Sequence, residues 1–323
     1  MAAMPRAVEA LEKDFASWLG VSGAVATGYG RAAACLALEV LGAAWDGESF
    51  NGEVLVPNFI CSQIPAAVRA AGARPRFYSV RPDLVIRPQD LGAVANSRSK
   101  VVLIPHYFGR LQPLLGELLA VCERLDMTPV EDCALALGAA GADGRLAGRY
   151  TDLAIFSLTK DAWCYGGGLL ATRDITFLER ANSLSAVQLL PAPGRALSYG
   201  LLRRADFASN RPSHARLAEF AGRWLERLCG MRGANFYDAA RYNASMPAFA
   251  ARRARGLLNG LPATTARRRR ILAALYEALR DTPLLYRPLF DPGDAGSFLL
   301  LYAPGGNAAE WREQAAANGV TLR

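Results

Sequence analysis

The stretch that decides the fold is V-V-L-I-P (101–105), followed by L-L-G-E-L-L-A-V-C-E-R-L (114–125) and T-P-V (128–130). The first segment is a short continuous apolar run, which is typical of a strand buried on both faces. The second has apolar residues at helical spacing, and the third is a further short strand. A strand, a helix and a strand of these lengths predict a parallel βαβ unit.

The same alternation extends outward through about the first 180 residues. It predicts helices at Val8–Leu19, Ala32–Leu41 and Ile64–Ala71, and strands at Gly23–Thr27, Val54–Val56, Arg76–Val80, Leu153–Leu158 and Leu169–Thr172. We therefore predict an α/β fold with a mainly parallel sheet sandwiched by helices, in a large domain over residues 1–245.

The remainder of the chain has a different pattern. Arg-, Ala- and Leu-rich helices dominate, and they are broken by Pro191, Pro193, Pro212 and Pro247. A strand at Ser297–Tyr302 and a helix at Ala308–Asn318 then predict a smaller C-terminal α+β domain over residues 246–323. A helix near residues 248–259 fits either domain.

Composition excludes several classes of protein. With 323 residues, 52% of them apolar, the chain is neither disordered nor collagen-like nor a disulfide scaffold. No apolar run reaches the roughly 18–20 residues that cross a bilayer, and Met1–Glu12 lacks the apolar core of a signal peptide. We expect a cytoplasmic protein with no membrane partner.

Cysteine and histidine usage argues against a metal site. The six cysteines include no pair at CxxC spacing, and the chain has only two histidines. We expect no metal, and reduced thiols that are mostly buried.

The net charge of +8 comes almost wholly from arginine, because only three of the 37 basic residues are lysines. The densest basic patch is Arg267–Arg270, in a stretch that is predicted to be helical. A solvated helix face is one interpretation and a nucleic-acid surface is the other. We expect no nucleic-acid partner, because no aromatic residues interleave with the patch.

Polar residues and glycines follow five of the predicted strands, at the edge where α/β sheets bind ligands. They are Gly28-Tyr29-Gly30-Arg31, Asn58 to Cys61, His106, Glu131-Asp132 and Ser157 to Lys160. A glycine turn at a helix start favours a phosphate, although it is equally typical of a tight turn with no ligand.

Lys160 and Asp132 carry the sharpest chemical signal. A desolvated lysine loses its proton and becomes a nucleophile toward carbonyl groups, and a snorkelling surface lysine is the other interpretation of Lys160. A buried carboxylate needs a cationic partner, and a protonated pyridine nitrogen is one. A structural helix cap is the other interpretation of Asp132.

Five blocks together resemble the DegT/DnrJ/StrS aminotransferases. They are A-T-G-Y-G-R-A-A-A-C-L-A-L (26–38), P-H-Y-F-G (105–109), V-E-D-C-A-L-A-L-G-A (130–139), A-I-F-S-L-T-K (154–160) before G-G-G (166–168), and Y-N-A-S-M (242–246). The resemblance covers most of residues 8–280. It implies a fold-type-I, pyridoxal 5'-phosphate-dependent transferase that acts as a homodimer with shared active sites.

The resemblance also implies the activity and the site. It implies transfer of an amino group from glutamate to a keto-sugar, nucleotide-linked, in nucleotide-sugar or polysaccharide biosynthesis. Lys160 would bind the cofactor as an aldimine and shuttle the proton, and Asp132 would hold the pyridinium. Ser157 and the backbone N–H groups of Gly30 and Arg31 would hold the phosphate. Asn243 would reach that phosphate from the other subunit, although a helix cap is its other interpretation.

The chain departs from the family pattern at several positions. Leu135 stands where a Gln or His often contacts the cofactor oxygen, and Cys61 stands where an aromatic residue often covers its ring. The Ser157-to-Lys160 spacing is three where many members have five, and Ser245 replaces a frequent arginine. The sequence ends two residues after Gly319-Val320-Thr321, near a family segment that usually continues with substrate contacts. A catalytically altered binding or regulatory subunit is therefore the alternative function.

Overall fold

A computed structural model describes residues 6–45, 52–161, 166–189, 242–282, 293–300 and 308–317. The strands are β1 Gly23–Thr27, β2 Glu53–Pro57, β3 Arg74–Tyr78, β4 Ser99–Pro105, β5 Thr128–Asp132, β6 Leu153–Ser157 and β7 Gly168–Thr172. The helices are α1 Arg6–Leu19, α2 Gly30–Trp45, α3 Gln63–Ala70, α4 Pro88–Gly92, α5 Leu115–Arg124, α6 Leu158–Asp161, α7 Ile175–Gln188, α8 Ala248–Asn259, α9 Leu261–Leu279 and α10 Ala308–Ala317. A single turn of 3₁₀ helix spans Tyr107–Gly109.

The strands form one seven-stranded sheet in the order β1-β7-β6-β5-β4-β2-β3. The strands β3, β2, β4, β5 and β6 run parallel, whereas β7 is antiparallel to both of its neighbours. The predicted mainly parallel α/β sheet is therefore confirmed.

Helices cover both faces of the sheet because alternate residues of each strand point to opposite sides. In β4, Val101 and Leu103 pack with residues of α2 and α3, while Val102 and Ile104 pack with α4 and α5. Near β1 and β6 the second face is covered by α1 and α8. The predicted helix and strand bounds agree with these elements to within about four residues, except as noted below.

The helix α8 packs directly against α1. Ala250 and Ala254 of α8 share a buried cluster with Leu11 and Phe15 of α1. Small alanine side chains let the two helices approach closely. This contact ties residues 248–259 to the large α/β layer, while the division of the chain at residue 245 stays a prediction.

Near the C-terminus, the structure differs from the sequence-based expectation at Ser297–Tyr302. Residues 297–300 form no strand, and residues 301 and 302 lie outside the described part. This segment is held by side-chain contacts instead of by a neighbouring strand. The Arg268 guanidinium donates a hydrogen bond to the Ser297 hydroxyl, and the Phe298 ring packs edge-on to the Phe108 ring, with 5.8 Å between their centroids. A short continuous apolar run predicts a strand, but its side chains can equally well pack against other segments while the backbone forms no strand.

Among the remaining predictions, Pro247 directly precedes α8 as expected. Pro191, Pro193 and Pro212 lie outside the described residues. No helix within the described ranges is long and apolar enough to cross a membrane.

Candidate active site

A cavity of about 520 Å³ opens at the carboxyl ends of the parallel strands. Its walls come from the segments that follow β2, β4, β5 and β6, and from the start of α2. Of the predicted site residues, Gly30, Arg31, Cys61, Asp132, Ser157 and Lys160 all line this cavity, and Asn243 does not.

The glycine turn at Gly28–Gly30 is hydrogen-bonded to the glycine segment at Gly166–Gly168. Gly28 donates a backbone hydrogen bond to Ala244, and Gly167 donates one to Gly28, both at 2.6 Å. A side chain on Gly168 would collide with the backbone of Tyr29, and one on Gly30 would meet Ser157. Glycine at these two positions therefore lets the start of α2 lie directly beside the end of β6.

Two hydroxyl groups and the lysine follow β6. The Ser157 and Thr159 hydroxyls lie 3.0 Å apart and share a hydrogen bond. Lys160 lies on the four-residue helix α6 and lines the cavity. Its side chain is exposed, so the structure does not show the desolvation from which the sequence argument for a nucleophile started. Thr159 is a cavity residue that the sequence analysis did not single out as part of the site.

Asp132 ends β5 as a buried carboxylate, with 7% of its surface exposed. Its Oδ1 accepts a hydrogen bond from the Ala134 N–H at 3.0 Å. Burial raises the pKa of Asp132, while the positive charge of Lys160 opposes that rise. A second cation facing this carboxylate would stabilise its charged form further.

Glu131, the strand neighbour of Asp132, points to the other face and enters a buried network. Its carboxylate accepts hydrogen bonds from the N–H groups of Gly148, Tyr150 and Thr151 and from the Thr151 hydroxyl. His106 Nε2 lies 2.9 Å from Glu131 Oε2. The pKa of Glu131 is lowered because these partners outweigh the cost of burial.

His106 connects this network to the cavity. Its Nδ1 accepts a hydrogen bond from the Gln112 N–H at 3.3 Å. The N–H of the ring is therefore at Nε2, where it donates a hydrogen bond to Glu131. The His106 backbone N–H also donates to the Asp132 carbonyl at 3.0 Å. The histidine was noted in sequence only for its position after β4, and its pairing with Glu131 was not foreseen.

His106, Glu131 and Cys133 offer ligand atoms within 4.8 Å of one another. Both oxygens of Glu131 already accept hydrogen bonds from protein donors, and His106 Nδ1 accepts one as well. The cluster is therefore satisfied as a hydrogen-bonded network without an ion.

The wall of the cavity is completed by Phe59, Cys61, Tyr107 and Leu135. The described cysteines Cys35, Cys61, Cys122 and Cys133 are free thiols, and of these only Cys61 is exposed. Leu135 lines the cavity beyond Asp132. The Tyr107 hydroxyl donates to the Phe59 carbonyl at 2.7 Å, although sequence reasoning did not single out Tyr107 as a site residue.

The segment that carries Asn243 lies beside the glycine turn of its own chain. Ser245 pairs with Thr27, and the Tyr242 hydroxyl lies 3.4 Å from Gln63 Oε1. Asn243 itself is half-buried. Its predicted contact with the other subunit stays a prediction.

The basic patch Arg267–Arg270 does not form a uniform solvated face. Arg267 and Arg270 are exposed, but Arg269 donates to the carbonyls of Gly138, Gly293 and Asp294. Half of the run therefore joins α9 to neighbouring loops, which corrects the solvated-face interpretation for those residues.

The family model of the DegT/DnrJ/EryC1/StrS aminotransferases matches residues 2–199. The chain belongs to this family. A curated relative, the dTDP-3-amino-3,4,6-trideoxy-alpha-D-glucose transaminase of Micromonospora megalomicea subsp. nigra, is 33% identical over 227 residues, covering 69% of this chain and 55% of that protein. The L-glutamine:2-deoxy-scyllo-inosose aminotransferase of Streptomyces lividus is 31% identical over 177 residues, covering 54% and 40%. The chain spans about half the length of these curated relatives.

Solved structures share the fold. The DesV protein of S. venezuelae, solved in complex with a ketimine intermediate, superposes with a TM-score of 0.72 at 21% identity, covering 98% of this chain and 73% of that one. The E. coli GDP-4-keto-6-deoxy-D-mannose-3-dehydratase, solved with hydrated PLP, gives 0.70 at 16% identity, covering 99% and 78%. The predicted fold-type-I architecture is thereby confirmed.

Pyridoxal phosphate, the cofactor of this aminotransferase family, fits the residues of the cavity. The glycine turn at the start of α2 leaves no side chain between the backbone and an anion, and the Ser157 hydroxyl lies beside it. The buried carboxylate of Asp132 suits a protonated ring nitrogen, and the amine of Lys160 suits a carbonyl carbon. These assignments rest on position and chemistry together.

Proposed function

We propose that this protein is a pyridoxal phosphate-dependent aminotransferase that transfers an amino group from glutamate to a nucleotide-linked keto-sugar. The observation that carries the proposal is the meeting of Lys160, Asp132 and the glycine turn around one cavity. The relatives named as sugar and aminocyclitol aminotransferases support the class of acceptor. The net exchange turns glutamate into 2-oxoglutarate and the acceptor's carbonyl into an amine.

When bound, the cofactor supplies an electron sink for the carbon that loses its proton. Asp132 would keep the ring nitrogen protonated, because a buried carboxylate is stabilised by a cation. The Lys160 amine would hold the cofactor and, once released, move a proton between donor carbon and cofactor. Ser157 and the N–H groups of Gly30 and Arg31 would orient the phosphate.

We also propose that two copies of the chain share their active sites, with Asn243 acting across the interface. The resemblance of Y-N-A-S-M (242–246) to the family segment that crosses the dimer interface supports this proposal. Within its own chain, Ser245 of that segment pairs with Thr27 beside the glycine turn. We place the protein in the cytoplasm, since the described cysteines are free thiols.

Borohydride reduction followed by peptide mass mapping tests the assignment of Lys160. We expect a pyridoxyl adduct on Lys160 and none on Lys13 or Lys100, the other two lysines of the chain. Lys160→Ala is the control and should give no adduct. An adduct elsewhere, or no adduct, would show that Lys160 does not bind the cofactor.

A second measurement separates an enzyme from the alternative regulatory subunit. Protein that has not been treated with borohydride should form 2-oxoglutarate from glutamate over many turnovers only when a keto-sugar acceptor is present. Glutamate alone should give at most one equivalent of 2-oxoglutarate per site, because the amino group then stays on the cofactor. A protein that binds the cofactor at Lys160 but leaves glutamate unchanged would favour the binding or regulatory function. Leu135 and Cys61, the two cavity residues that depart from the family pattern, are the reason to consider that function.

A further inference from the structure

Phe59 is an exposed aromatic residue at the edge of the cofactor cavity. It follows β2, lines the cavity and has 49% of its surface exposed. The other large exposed apolar residues of the described chain are Phe77, Leu125, Ile175, Val187, Ile271 and Leu275, and none of them lines the cavity. Single exposed apolar side chains are common on proteins, so exposure alone does not indicate a site.

What distinguishes Phe59 is that a buried neighbour holds it in place. The Tyr107 hydroxyl donates to the Phe59 carbonyl at 2.7 Å, and the two rings lie 5.7 Å apart at 53°. Tyr107 is only 6% exposed. Burial and the nearby Asp132 raise the pKa of Tyr107, so its hydroxyl stays protonated and continues to donate. In the single chain, a flat apolar ring is therefore held in one orientation at the edge of the cavity.

The size of the cavity indicates which part of a substrate reaches Phe59. Its volume of about 520 Å³ is that of a site for one drug-sized ligand. Pyridoxal phosphate and a six-membered keto ring would together occupy much of such a cavity. A group attached to the keto ring through a diphosphate would then extend toward the edge of the cavity, where Phe59 is exposed.

We propose that Phe59 is a stacking platform for the heterocyclic base of the nucleotide-linked acceptor. The inference rests on the proposed function and deepens it, because it assigns a residue to the nucleotide. Bases stack on aromatic side chains through their faces, and a ring held in advance loses little freedom on binding. Tyr107 is then a positioning residue, since it acts through Phe59.

Nucleotide binding to the pyridoxal phosphate-loaded protein tests the proposal. Calorimetry would compare thymidine diphosphate and uridine diphosphate with pyrophosphate, which lacks a base. We expect Phe59→Leu to weaken binding of both nucleotides about five- to a hundredfold and to leave pyrophosphate unchanged. Phe59→Tyr keeps the ring and should bind within about twofold of the parent. Phe77→Leu is the matched control, because Phe77 is equally exposed at 47% but lies away from the cavity.

The proposal is overturned if the nucleotides bind no more tightly than pyrophosphate, or if Phe59→Leu weakens all three probes alike or none of them. In turnover, Phe59→Leu should raise KM for a nucleotide-linked keto-sugar and leave kcat within about twofold, since the ring does not touch the reacting atoms. A keto-cyclitol acceptor without a nucleotide should show no change.

A measurement of the reaction with glutamate alone distinguishes a failure of this proposal from a failure of the proposed function. Adding glutamate alone should alter the visible spectrum of the bound cofactor equally in the parent and in Phe59→Leu. If glutamate alters neither spectrum, the proposed aminotransferase activity fails, whatever the nucleotides do. If both spectra change and the nucleotides do not bind, only the platform is wrong.

Discussion

At the scale of single residues, the adjacent carboxylates Glu131 and Asp132 have opposite environments. Successive strand residues point to opposite faces, so Glu131 enters a buried network while Asp132 faces the cavity. Five hydrogen bonds surround the Glu131 carboxylate, whereas Asp132 accepts one from Ala134. The first arrangement stabilises the fold, and the second leaves a carboxylate available to a ligand.

Asp132→Asn should fold normally and lose about a hundred- to a thousandfold in kcat, because an amide does not stabilise a ring proton as a carboxylate does. Glu131→Gln is the matched variant. It should lower the free energy of unfolding by about 2–4 kcal/mol, because it removes a buried charge from its donors. Urea unfolding and transamination rates measure the two effects. A rate for Asp132→Asn within a few-fold of the parent would mean that Asp132 is only structural.

Cys61 offers a second test at this scale, because it is exposed in the cavity while Cys35, Cys122 and Cys133 are buried. Burial raises the pKa of Cys122 to about 12 and also raises those of Cys35 and Cys133, so these thiols should react slowly. Bound pyridoxal phosphate should protect Cys61 from iodoacetamide if the two are in contact. Peptide mass mapping reads the label at Cys61, and equal labelling with and without cofactor would argue against contact.

At the scale of elements, the edge strand β1 is protected by the helix beside it. Among the described strands β1 pairs with β7 alone, and at its end Thr27 also forms a single bridge with Ser245. The side of β1 away from β7 therefore has no described strand neighbour along most of its length. Glu12 of α1 accepts a hydrogen bond from the Ala26 N–H at 2.7 Å on that side. Burial raises the pKa of Glu12 from 4.5 to about 7, so the charged form is disfavoured in the folded protein.

Glu12→Gln should therefore stabilise the protein at pH 8 by about 1–3 kcal/mol. The amide oxygen still accepts from Ala26 and carries no charge to bury. In the parent, the contribution of Glu12 is complete below pH 4.5 and is lost as the pH rises to about 7, because the pKa is raised on folding. The two proteins should differ little at pH 4.5 and most above pH 7. Thermal unfolding across this range measures the difference, and parallel curves would show that Glu12 does not titrate in this way.

At the scale of the whole molecule, the candidate site exists because five strands end on one edge. The five are β6 before Lys160, β5 ending at Asp132, β4 before His106, β2 before Phe59 and β1 before Gly30. The segment of Asn243 joins this edge from beyond residue 241, where Ser245 pairs with Thr27. A site assembled from so many segments responds to changes in subunit arrangement as well as to changes in side chains.

Subunit mixing tests whether Asn243 acts across an interface. Lys160→Ala and Asn243→Ala should each be inactive as homodimers. In a mixed dimer both lesions would fall in one site, so random reassortment should leave about a quarter of all sites native. The pair Lys160→Ala and Asp132→Asn is the control, because both residues serve the same subunit's site and no native site can form. A mixture with Asn243→Ala that stays dimeric and inactive would place Asn243 in its own subunit's site.

Local patterns in the sequence were enough to predict much of the fold and of the site. Val101–Pro105 is so continuously apolar that it is stable only between two covered faces, and this places it at the centre of a parallel sheet. Since ligands bind at the carboxyl ends of such strands, the positions of Gly30, Asp132, Ser157 and Lys160 followed from the strand order along the chain. These are short-range signals that a single sequence carries.

Only the tertiary structure decided the contacts between distant segments. His106 and Glu131 are 25 residues apart, and Tyr107 and Phe59 are 48 apart, so no local period relates them. Residues 297–300 show the converse, because their short apolar run predicts a strand, whereas in the structure they pack against an aromatic ring and an arginine instead. Propensity and periodicity describe how a segment can bury its own side chains. Which partner it buries them against depends on the free energy of the complete packed chain.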